Sequence, residues 1–299
     1  MAPLRTLMRP VGDNAVMRRF NVLVVQPNDY VNYAPFLGVA KSMYFALRRL
    51  GYDVRLAGNE FLRDATNVIF GAHHLAGEIA ADLPSDTIVY NTEQLRADGA
   101  LVEALTPFVS RFATWEPDSG NVEAWRALGL GSRVHYVQPG YLPESSTVAA
   151  ETSTDIDVLF FGKVNPRRMV ILDSIMRAGI SLHVADGVYL ADRDALVARA
   201  KILLNVHAAD DSALEMARVA YALANRRALV TELGGGARLD PDLRDGVLAG
   251  TNAELAAMCR TLLADDKRRL ELAERGFQAF SRRDLVATVR NALAQASAG

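Results

Sequence analysis

The feature that most constrains this chain is an alternation, repeated along its length, of short apolar runs with segments of helical periodicity. The first run, FNVLVVQP at residues 20–27, is followed by a helical pattern over about residues 35–50 and then by the run YDVRLAG. Strands that are apolar on both faces are typical of parallel sheets covered by helices on both sides. The start of the chain therefore predicts a βαβ unit, and the same pattern recurs.

The apolar runs fall into two groups separated by a change in composition. The first group contains six predicted strands and ends with RVHYVQPGY, and the second begins with IDVLFFG. The intervening PESSTVAAETSTD is rich in Ser and Thr and predicts a linker. We therefore predict an α/β protein with two doubly wound, Rossmann-like domains that face each other across a cleft. The predicted segments are a flexible leader over 1–19, an N-terminal domain over 20–142, a linker over 143–155, a C-terminal domain over 156–280 and a C-terminal helix over 281–299, for which packing back on the N-terminal domain is one option.

Length and composition narrow the class of protein. A chain of 299 residues is long enough for two α/β domains, and its formal net charge of −2 gives no overall basic surface for nucleic acid. The single cysteine, Cys259, excludes an intrachain disulfide and a multi-cysteine metal site. No apolar run reaches the roughly 18 residues of a membrane helix, and the N-terminal segment lacks the apolar core of a secretory signal. We expect a cytoplasmic protein, with peripheral binding to a membrane left open.

Basic residues follow the first strand of the second group. In FFGKVNPRR, Gly162 and Lys163 end the strand and Arg167 lies at the start of the next helix. Glycine at this position lets the backbone approach a ligand closely, and a helix N-terminus with adjacent cations favours an anion. The segment therefore suits the diphosphate of a nucleotide. The alternative is a turn with solvated basic residues.

Polar residues in an apolar frame mark the stretch LNVHAADDSALEMARVAYALANRRALVTE at residues 204–232. His207 follows a predicted strand, and Glu215, Arg218 and Asn225 share one stripe of the next predicted helix. A salt-bridged helix and a structural histidine are the alternatives. Because His207, the start of this helix and Gly162 belong to the same edge of one sheet, we favour a ligand site there.

Candidate residues also follow the strands of the first group. Asn91 and Glu93 come after DTIVY, and Trp115 and Asp118 lie in TWEPDSGN. A carboxylate at such a position, Glu93 or Asp118, can act as a general base toward an acceptor hydroxyl. The alternatives are hydrogen bonds that order a loop for Glu93 and packing in the cleft for Trp115.

Two further groups at strand ends are candidates for contact with an acceptor. Asn28, Asp29 and Tyr30 follow the first strand, and His73 and His74 follow the third. No Asp, Glu or Cys stands at metal-ligand spacing from the histidine pair, so we predict no metal site there. For the segment after the first strand, ordinary polar loop residues are the alternative.

Five blocks, in order along the chain, make a familiar combination: YNTEQL, TWEPDSGNVEAW, VHYVQPGY, DIDVLFFGKVNPRR and LNVHAADDSALEMARVAYALANRRALVTE. They resemble GT-B-fold glycosyltransferase-like proteins of the group 1, or glycosyltransferase family 4-like, kind. The resemblance covers a minority of the chain and specifies no substrate. It implies that the N-terminal domain binds the acceptor and that the C-terminal domain binds a nucleotide-sugar donor.

The resemblance also implies roles for residues of the C-terminal domain. The residues that it places on the donor side are Gly162, Lys163, Arg167, His207, Glu215, Arg218, Tyr221 and Asn225. The first three would hold phosphates, His207 and Glu215 would touch the sugar or the helix entry, and Arg218 would contact the diphosphate or the ribose. Members of this group usually carry a second glutamate where this chain has Tyr221. That difference leaves the ribose contact, the donor base and the stereochemical outcome open.

The function that the resemblance implies is transfer of a sugar from a nucleotide diphosphate-sugar donor to a hydroxyl acceptor, without a required metal or other cofactor. The candidate catalytic residues are Glu93, Asp118 and His207. The alternatives are a non-catalytic nucleotide-sugar-binding module or degenerate GT-B homologue, and a different α/β enzyme with the same layout. A glycan, a lipid-linked sugar, a protein or a modified nucleic-acid base all remain open as the acceptor, as does the oligomeric state.

Overall fold

Six parallel strands form the sheet of the first domain. The computed structural model describes residues 18–26, 34–95, 99–149, 154–210, 214–234 and 237–296. The strands are β1 (Arg19–Val24), β2 (Asp53–Gly58), β3 (Thr66–Phe70), β4 (Ile88–Tyr90), β5 (Ala113–Glu116) and β6 (Val134–Tyr136). Their order across the sheet is β2-β1-β3-β4-β5-β6, and each neighbouring pair is parallel.

Helices cover both faces of this sheet. The helices between its strands are α1 (Ala34–Arg49), α2 (Ala100–Val109) and α3 (Ser119–Ala127). Val22 of β1 belongs to the core cluster that includes Leu47 of α1. Its neighbour Leu23 points to the opposite face, into the cluster that includes Phe108 of α2 and Trp125 of α3. The run in β1 is largely apolar because the strand supplies side chains to both clusters.

Five parallel strands form the second sheet. They are β7 (Ile156–Phe161), β8 (Leu182–Ala185), β9 (Ala200–Asn205), β10 (Ala228–Glu232) and β11 (Leu248–Gly250), in the order β11-β10-β9-β7-β8. The helices of this domain are α4 (Pro166–Arg177), α5 (Leu190–Arg199), α6 (Met216–Ala224), α7 (Leu255–Leu263) and α8 (Asp266–Ser281). Every residue of β10 is buried, as a strand covered on both faces requires. The prediction of two doubly wound parallel sheets is therefore confirmed.

The chain crosses between the domains twice, and the two crossings pack together. Tyr141, after β6, donates its backbone N–H to the carbonyl of Arg283, 2.7 Å away. A Cβ on Gly140 would lie 2.7 Å from the same carbonyl oxygen, so this close approach requires glycine. After Arg283 the last helix, α9 (Leu285–Ala296), contacts α1 and places Val289 in the core of the first domain.

The carboxyl ends of the two sheets approach each other. The side chain of Gln138, just after β6, donates to Asp240, which follows β10, over 3.3 Å. The buried Arg283 pairs with Asp240 at 2.8 Å and also with Asp242. Loops from both sheets therefore meet at one ion-pair cluster, and the ends of the strands border a common cleft.

Parts of two predicted segments lie outside the described residues. Of the predicted leader only residues 18 and 19 are described, and Arg19 already begins β1. The described part of the predicted linker includes a short 3-10 turn at Pro143–Ser145, and Ser146 then donates to the carbonyl of Ala224 over 2.6 Å. The domain boundaries stay predictions. Within the described ranges, no helix is both long and apolar enough to cross a membrane.

Candidate functional site

Arg218 and Gly162 form the centre of a site at the carboxyl edge of the second sheet. Gly162 follows β7 with a φ of +126°, a conformation that L side chains rarely adopt. A Cβ on Gly162 would lie 2.3 Å from Nη2 of Arg218, so the guanidinium occupies space that only glycine leaves. The guanidinium also lies 5.6 Å from the ring centroid of Phe160 and 5.8 Å from that of Phe161. Glycine and two aromatic rings thus hold this cation in place.

Arg167, at the start of α4, is neutralised within the protein. It pairs with Glu232 at the end of β10 and with Asp210 at 2.6 Å, and its Nη1 donates to the carbonyl of His207 over 2.9 Å. The hydrogen bond with Glu232 raises the pKa of Arg167 above its ordinary value, despite partial burial. These contacts occupy most of its N–H groups, and the phosphate contact that the resemblance implies for Arg167 stays a prediction.

Arg168 is buried beside it and supports the turn after β7. Its guanidinium donates to Glu215 over 2.8 Å, and to the carbonyls of Val206 and Lys163 over 2.9 Å each. Burial, followed by the charge of Arg218, lowers the pKa of Arg168 to about 10. Arg168 therefore stays charged at neutral pH, balances Glu215 and fixes the backbone at Lys163.

His207 and Glu215 belong to the same buried network. The backbone N–H of His207 donates to Glu232 over 2.9 Å, and its Nδ1 lies 3.3 Å from Oε2 of Glu215. Burial raises the pKa of Glu215, but the hydrogen bond with His207 and the charges of Arg218 and Arg168 outweigh it, and the net pKa is below the ordinary value. Glu215 is thus a carboxylate anion tied to its neighbours, and His207 is only 1 % exposed.

Lys163 and Arg218 are two cations at this edge that contact no carboxylate directly in the described part of the chain, although the charge of Arg218 acts on Glu215. Within the described ranges neither forms an ion pair, and Arg218 has one long hydrogen bond, 3.4 Å, to Asn205. Lys163 is exposed. The adjacent helix α6 begins at Met216, so the positive end of its helix dipole lies beside Arg218. The charge of this edge suits a ligand with two negative charges, such as a diphosphate.

Tyr221 and Asn225 lie farther along α6 and join it to other segments. The hydroxyl of Tyr221 donates to Asp194 of α5 over 2.6 Å, and the guanidinium of Arg193 lies 3.7 Å from its ring centroid. The Oδ1 of Asn225 accepts the backbone N–H of Thr147 over 2.8 Å, in the crossing between domains. Both side chains have structural contacts, and their contacts with a donor stay predictions.

The predicted residues of the first domain lie at the ends of β4 and β5. Asp118 accepts the backbone N–H of Asn121 over 2.9 Å and is the N-cap of α3. The amide of Asn91 accepts the N–H of Glu93 over 3.0 Å and donates to its carbonyl over 2.8 Å. These contacts order the loop after β4, which places Glu93 and Asp118 on neighbouring strand ends at the cleft.

A buried glutamate that the sequence analysis did not single out lies among these residues. Glu116, the last residue of β5, is 0 % exposed and accepts hydrogen bonds from Asn91, Asn121 and Trp125. Burial raises its pKa to about 7, against the lowering effect of these hydrogen bonds, and the charge of Asp118 raises it further. The sequence feature that could have indicated Glu116 is its position as an acidic residue at the end of the apolar run of β5. Sequence alone does not show whether such a residue faces solvent or lies under a helix.

The remaining acceptor-side residues have different environments. Trp115 is completely buried in the core, so packing accounts for it and it offers no surface to an acceptor. Burial, and then the charge of His74, lowers the pKa of His73 to about 4, so His73 is neutral at pH 7. In the described part of the chain, no three His, Cys, Asp or Glu side chains are grouped to hold a metal ion. The segment 28–30, with Asn28, Asp29 and Tyr30, lies outside the described residues.

Known proteins share the fold of this chain at low sequence identity. No family model and no curated protein matches it. The structure of HepE from Anabaena with UDP and glucose is similar over 93% of this chain and 100% of that chain, with a TM-score of 0.62 and 12% identity. The structure of sucrose-phosphate synthase from Thermosynechococcus elongatus is similar over 94% of this chain and 99% of that chain, with a TM-score of 0.60 and 10% identity. The structure of AviGT4, a glycosyltransferase involved in avilamycin A biosynthesis, is similar over 94% of this chain and 98% of that chain, with a TM-score of 0.57 and 17% identity. The chain therefore has the GT-B fold, and the predicted fold class is confirmed.

Proposed function

We propose that this protein is a glycosyltransferase that moves a sugar from a nucleoside diphosphate-sugar to a hydroxyl acceptor. The observation that carries the proposal is a pair of cations at the carboxyl edge of the second sheet, Lys163 and Arg218, that form no ion pair with any described residue. The similar structures support the donor class, because Anabaena HepE was solved with UDP and with UDP-glucose. We therefore take a uridine diphosphate-sugar as the first donor to test.

The same cations suit the departure of the nucleoside diphosphate. When the bond between the sugar and the donor breaks, negative charge builds on the phosphate oxygen that leaves. Arg218 is already held by Gly162 and the phenylalanine rings, so its donors can meet that charge without reorganisation. Lys163 adds a second positive charge. We propose that these side chains take the part that a divalent cation plays in metal-assisted transfer, and that no cofactor is required.

The contacts of the other donor-side residues suggest supporting roles. Arg167 and Arg168 neutralise Glu232 and Glu215, whose carboxylates would otherwise repel a phosphate. His207 is shielded from solvent and bonded to both glutamates. We propose that His207 orients Glu215 and does not itself transfer a proton.

The first domain supplies the candidates for proton transfer at the acceptor. An attacking hydroxyl needs a proton acceptor in the transition state if the reaction inverts the anomeric configuration. One carboxylate oxygen of Asp118 already accepts the backbone N–H that it caps. Glu93 and Asp118 are both candidates for the base. The class of acceptor stays open.

Binding of UDP, measured by isothermal titration calorimetry, tests the donor site. Arg218→Gln and Lys163→Gln each remove one charge and keep most of the side chain. Loss of a hydrogen bond to a charged group costs roughly 1.5–3 kcal/mol, which corresponds to a Kd about 10–150-fold weaker. Arg226→Gln is the matched control, since Arg226 follows the far end of α6, is exposed and pairs with Glu274. This control should bind UDP as the wild type does.

Three outcomes of these measurements separate the hypotheses. If the wild type binds neither UDP nor a panel of GDP, TDP and CMP, the proposed function fails. If Arg218→Gln keeps the affinity of the wild type for UDP, the phosphates bind elsewhere. If UDP-sugars bind but the wild type neither hydrolyses nor transfers any of them, a non-catalytic nucleotide-sugar-binding module is the better description.

A further inference from the structure

The buried carboxylate of Glu116 is surrounded by hydrogen-bond donors. Trp125 Nε1 lies 2.7 Å from Oε1, Asn91 Nδ2 lies 2.9 Å from Oε1 and 3.2 Å from Oε2, and Asn121 Nδ2 lies 3.0 Å from Oε2. No Arg, Lys or His of the described ranges forms an ion pair with Glu116. All the hydrogen bonds described for this carboxylate therefore come from N–H groups, one on Asn91 just after β4 and two on α3.

The two asparagines that bind Glu116 also hold the loop after β4. Asn91 accepts the N–H of Glu93 over 3.0 Å and donates to its carbonyl over 2.8 Å. Asn121 donates to the same carbonyl over 2.8 Å and accepts the N–H of Leu95 over 3.1 Å. Each amide thus uses its oxygen for a loop N–H and its nitrogen for Glu116. If either amide rotated by 180°, its nitrogen would face a loop N–H and its oxygen would face the Glu116 carboxylate.

We propose that Glu116 is a positioning residue that holds the loop 91–95 in the shape that faces the acceptor. This role rests on the proposed function, which makes the carboxyl edge of the first domain the acceptor side. Glu116 touches no reacting atom and acts through Asn91 and Asn121. The loop carries Glu93, a candidate for the base, so displacement of the loop would move that carboxylate away from an acceptor hydroxyl.

The chemistry of a glutamine substitution shows why a carboxylate is needed. In Glu116→Gln one oxygen becomes an NH₂ group of nearly the same size. This group must face the N–H donors of Asn91 and Trp125 in place of Oε1, or those of Asn91 and Asn121 in place of Oε2. Relief requires an asparagine amide to rotate, and its nitrogen then faces the N–H of Glu93 or Leu95. The substitution of a buried side chain therefore weakens the hydrogen bonds that hold the loop backbone.

Indole resonances give a direct readout of the contact with Glu116. The chain has two tryptophans, Trp115 and Trp125, and an ¹⁵N-tryptophan sample gives one side-chain signal from each. Trp125 Nε1–H donates to Glu116, whereas Trp115 Nε1–H has no partner in the described part of the chain. The titratable groups near the two indoles are Asp118 at the N-cap of α3, Tyr90 on β4, and His135 and Tyr136 on β6. His135 is the partner of Trp115 in the strand register, and burial lowers its pKa. Burial raises the pKa of both tyrosines, that of Tyr136 to about 12, so neither changes charge near neutral pH.

The expected result is a Trp125 signal that titrates with a midpoint near pH 7, the pKa to which burial raises Glu116, while the Trp115 signal stays fixed. Glu116→Gln should abolish this titration. In the same variant, hydrogen exchange at the backbone N–H groups of Glu93 and Leu95 should be at least 10-fold faster. Glu103→Gln is the matched control, because Glu103 lies exposed on α2 of the same domain. It should leave both readouts unchanged.

Other results would overturn the proposal or separate it from the proposed function. If Glu116→Gln abolishes the titration of Trp125 but leaves exchange at Glu93 and Leu95 unchanged, Glu116 does not position the loop. If this variant does not fold, Glu116→Asp keeps the carboxylate, and it should show a titrating Trp125 signal with intermediate exchange. Binding of UDP should differ less than twofold between Glu116→Gln and the wild type. If the wild type does not bind UDP, the donor site is refuted. Hydrogen exchange at Glu93 and Leu95 still tests whether Glu116 holds the loop.

Discussion

Replacement of Gly162 by alanine separates the two physical roles that the structure gives to this glycine. The first role is conformational, because the φ of +126° is strained for a residue with a side chain. The second is steric, since the added Cβ would lie 2.3 Å from Nη2 and 2.9 Å from Cζ of Arg218. A contact this short must be relieved, and the guanidinium, at the end of a flexible side chain, is the group that moves.

The magnitude of each effect follows from its cause. Holding an L residue in a sparsely populated backbone region costs about 1–3 kcal/mol of folding free energy. Displacement of Arg218 from Phe160 and Phe161 removes a preorganised, charge-assisted donor, which corresponds to roughly 1.5–3 kcal/mol of binding free energy. We therefore expect Gly162→Ala to lower the stability of the fold and to weaken the Kd for UDP about 10–150-fold.

Gly179→Ala supplies the matched control. Gly179 also has a positive φ, +85°, but an added Cβ there meets no atom within 4 Å. It should therefore lower the free energy of urea unfolding through strain alone and leave UDP binding, measured by calorimetry, unchanged. If Gly162→Ala binds UDP as tightly as Gly179→Ala, the reasoning about Arg218 is refuted.

Three further predictions concern stability. Glu232→Gln removes the buried charge that binds Arg167 and His207, and should lower the free energy of urea unfolding by about 3 kcal/mol; a loss under 1 kcal/mol would contradict the buried-pair argument. Asp118→Ala removes the N-cap of α3 and should cost about 1 kcal/mol in the same assay, whereas no loss would mean that water replaces the cap. Because burial raises the pKa of Glu116 from 4.5 to about 7, ionising this residue inside the fold costs stability. The cost is absent below about pH 4.5 and reaches about 3 kcal/mol as pH rises to 7. The difference in unfolding free energy between the wild type and Glu116→Gln should therefore change between pH 5 and pH 8, and a constant difference would exclude a raised pKa.

The architecture was predictable from sequence because burial leaves a strong local signature. Strands such as β3 and β10 are buried at every position, so their sequences are short runs in which most residues are apolar. The helices between them show the 3.6-residue period. Alternation of the two patterns admits few architectures, and the two parallel sheets followed from it.

The edge that holds the candidate donor site was also predictable, because parallel strands end on the same side of their sheet. Gly162, Lys163, His207 and the start of the helix that carries Arg218 were assigned to one edge on this ground, and the structure places Gly162 against Arg218. Their roles in binding remain proposals. The positive φ of Gly162 and the rings beneath Arg218 were not visible in the sequence, since they depend on how α6 lies across β7.

The sequence by itself thus determined which segments are strands and helices, and at which ends of the strands the chemistry lies. Only the tertiary structure decided which charges are available to a ligand. Arg167 and Lys163 are similar basic residues in one short segment. Arg167 forms an ion pair with Glu232, 65 residues away, whereas Lys163 forms no ion pair within the described part of the chain. Likewise Glu116 is an ordinary strand-end acid until α3 covers it. Charge compensation and burial depend on contacts between distant segments, and local patterns carry no record of those contacts.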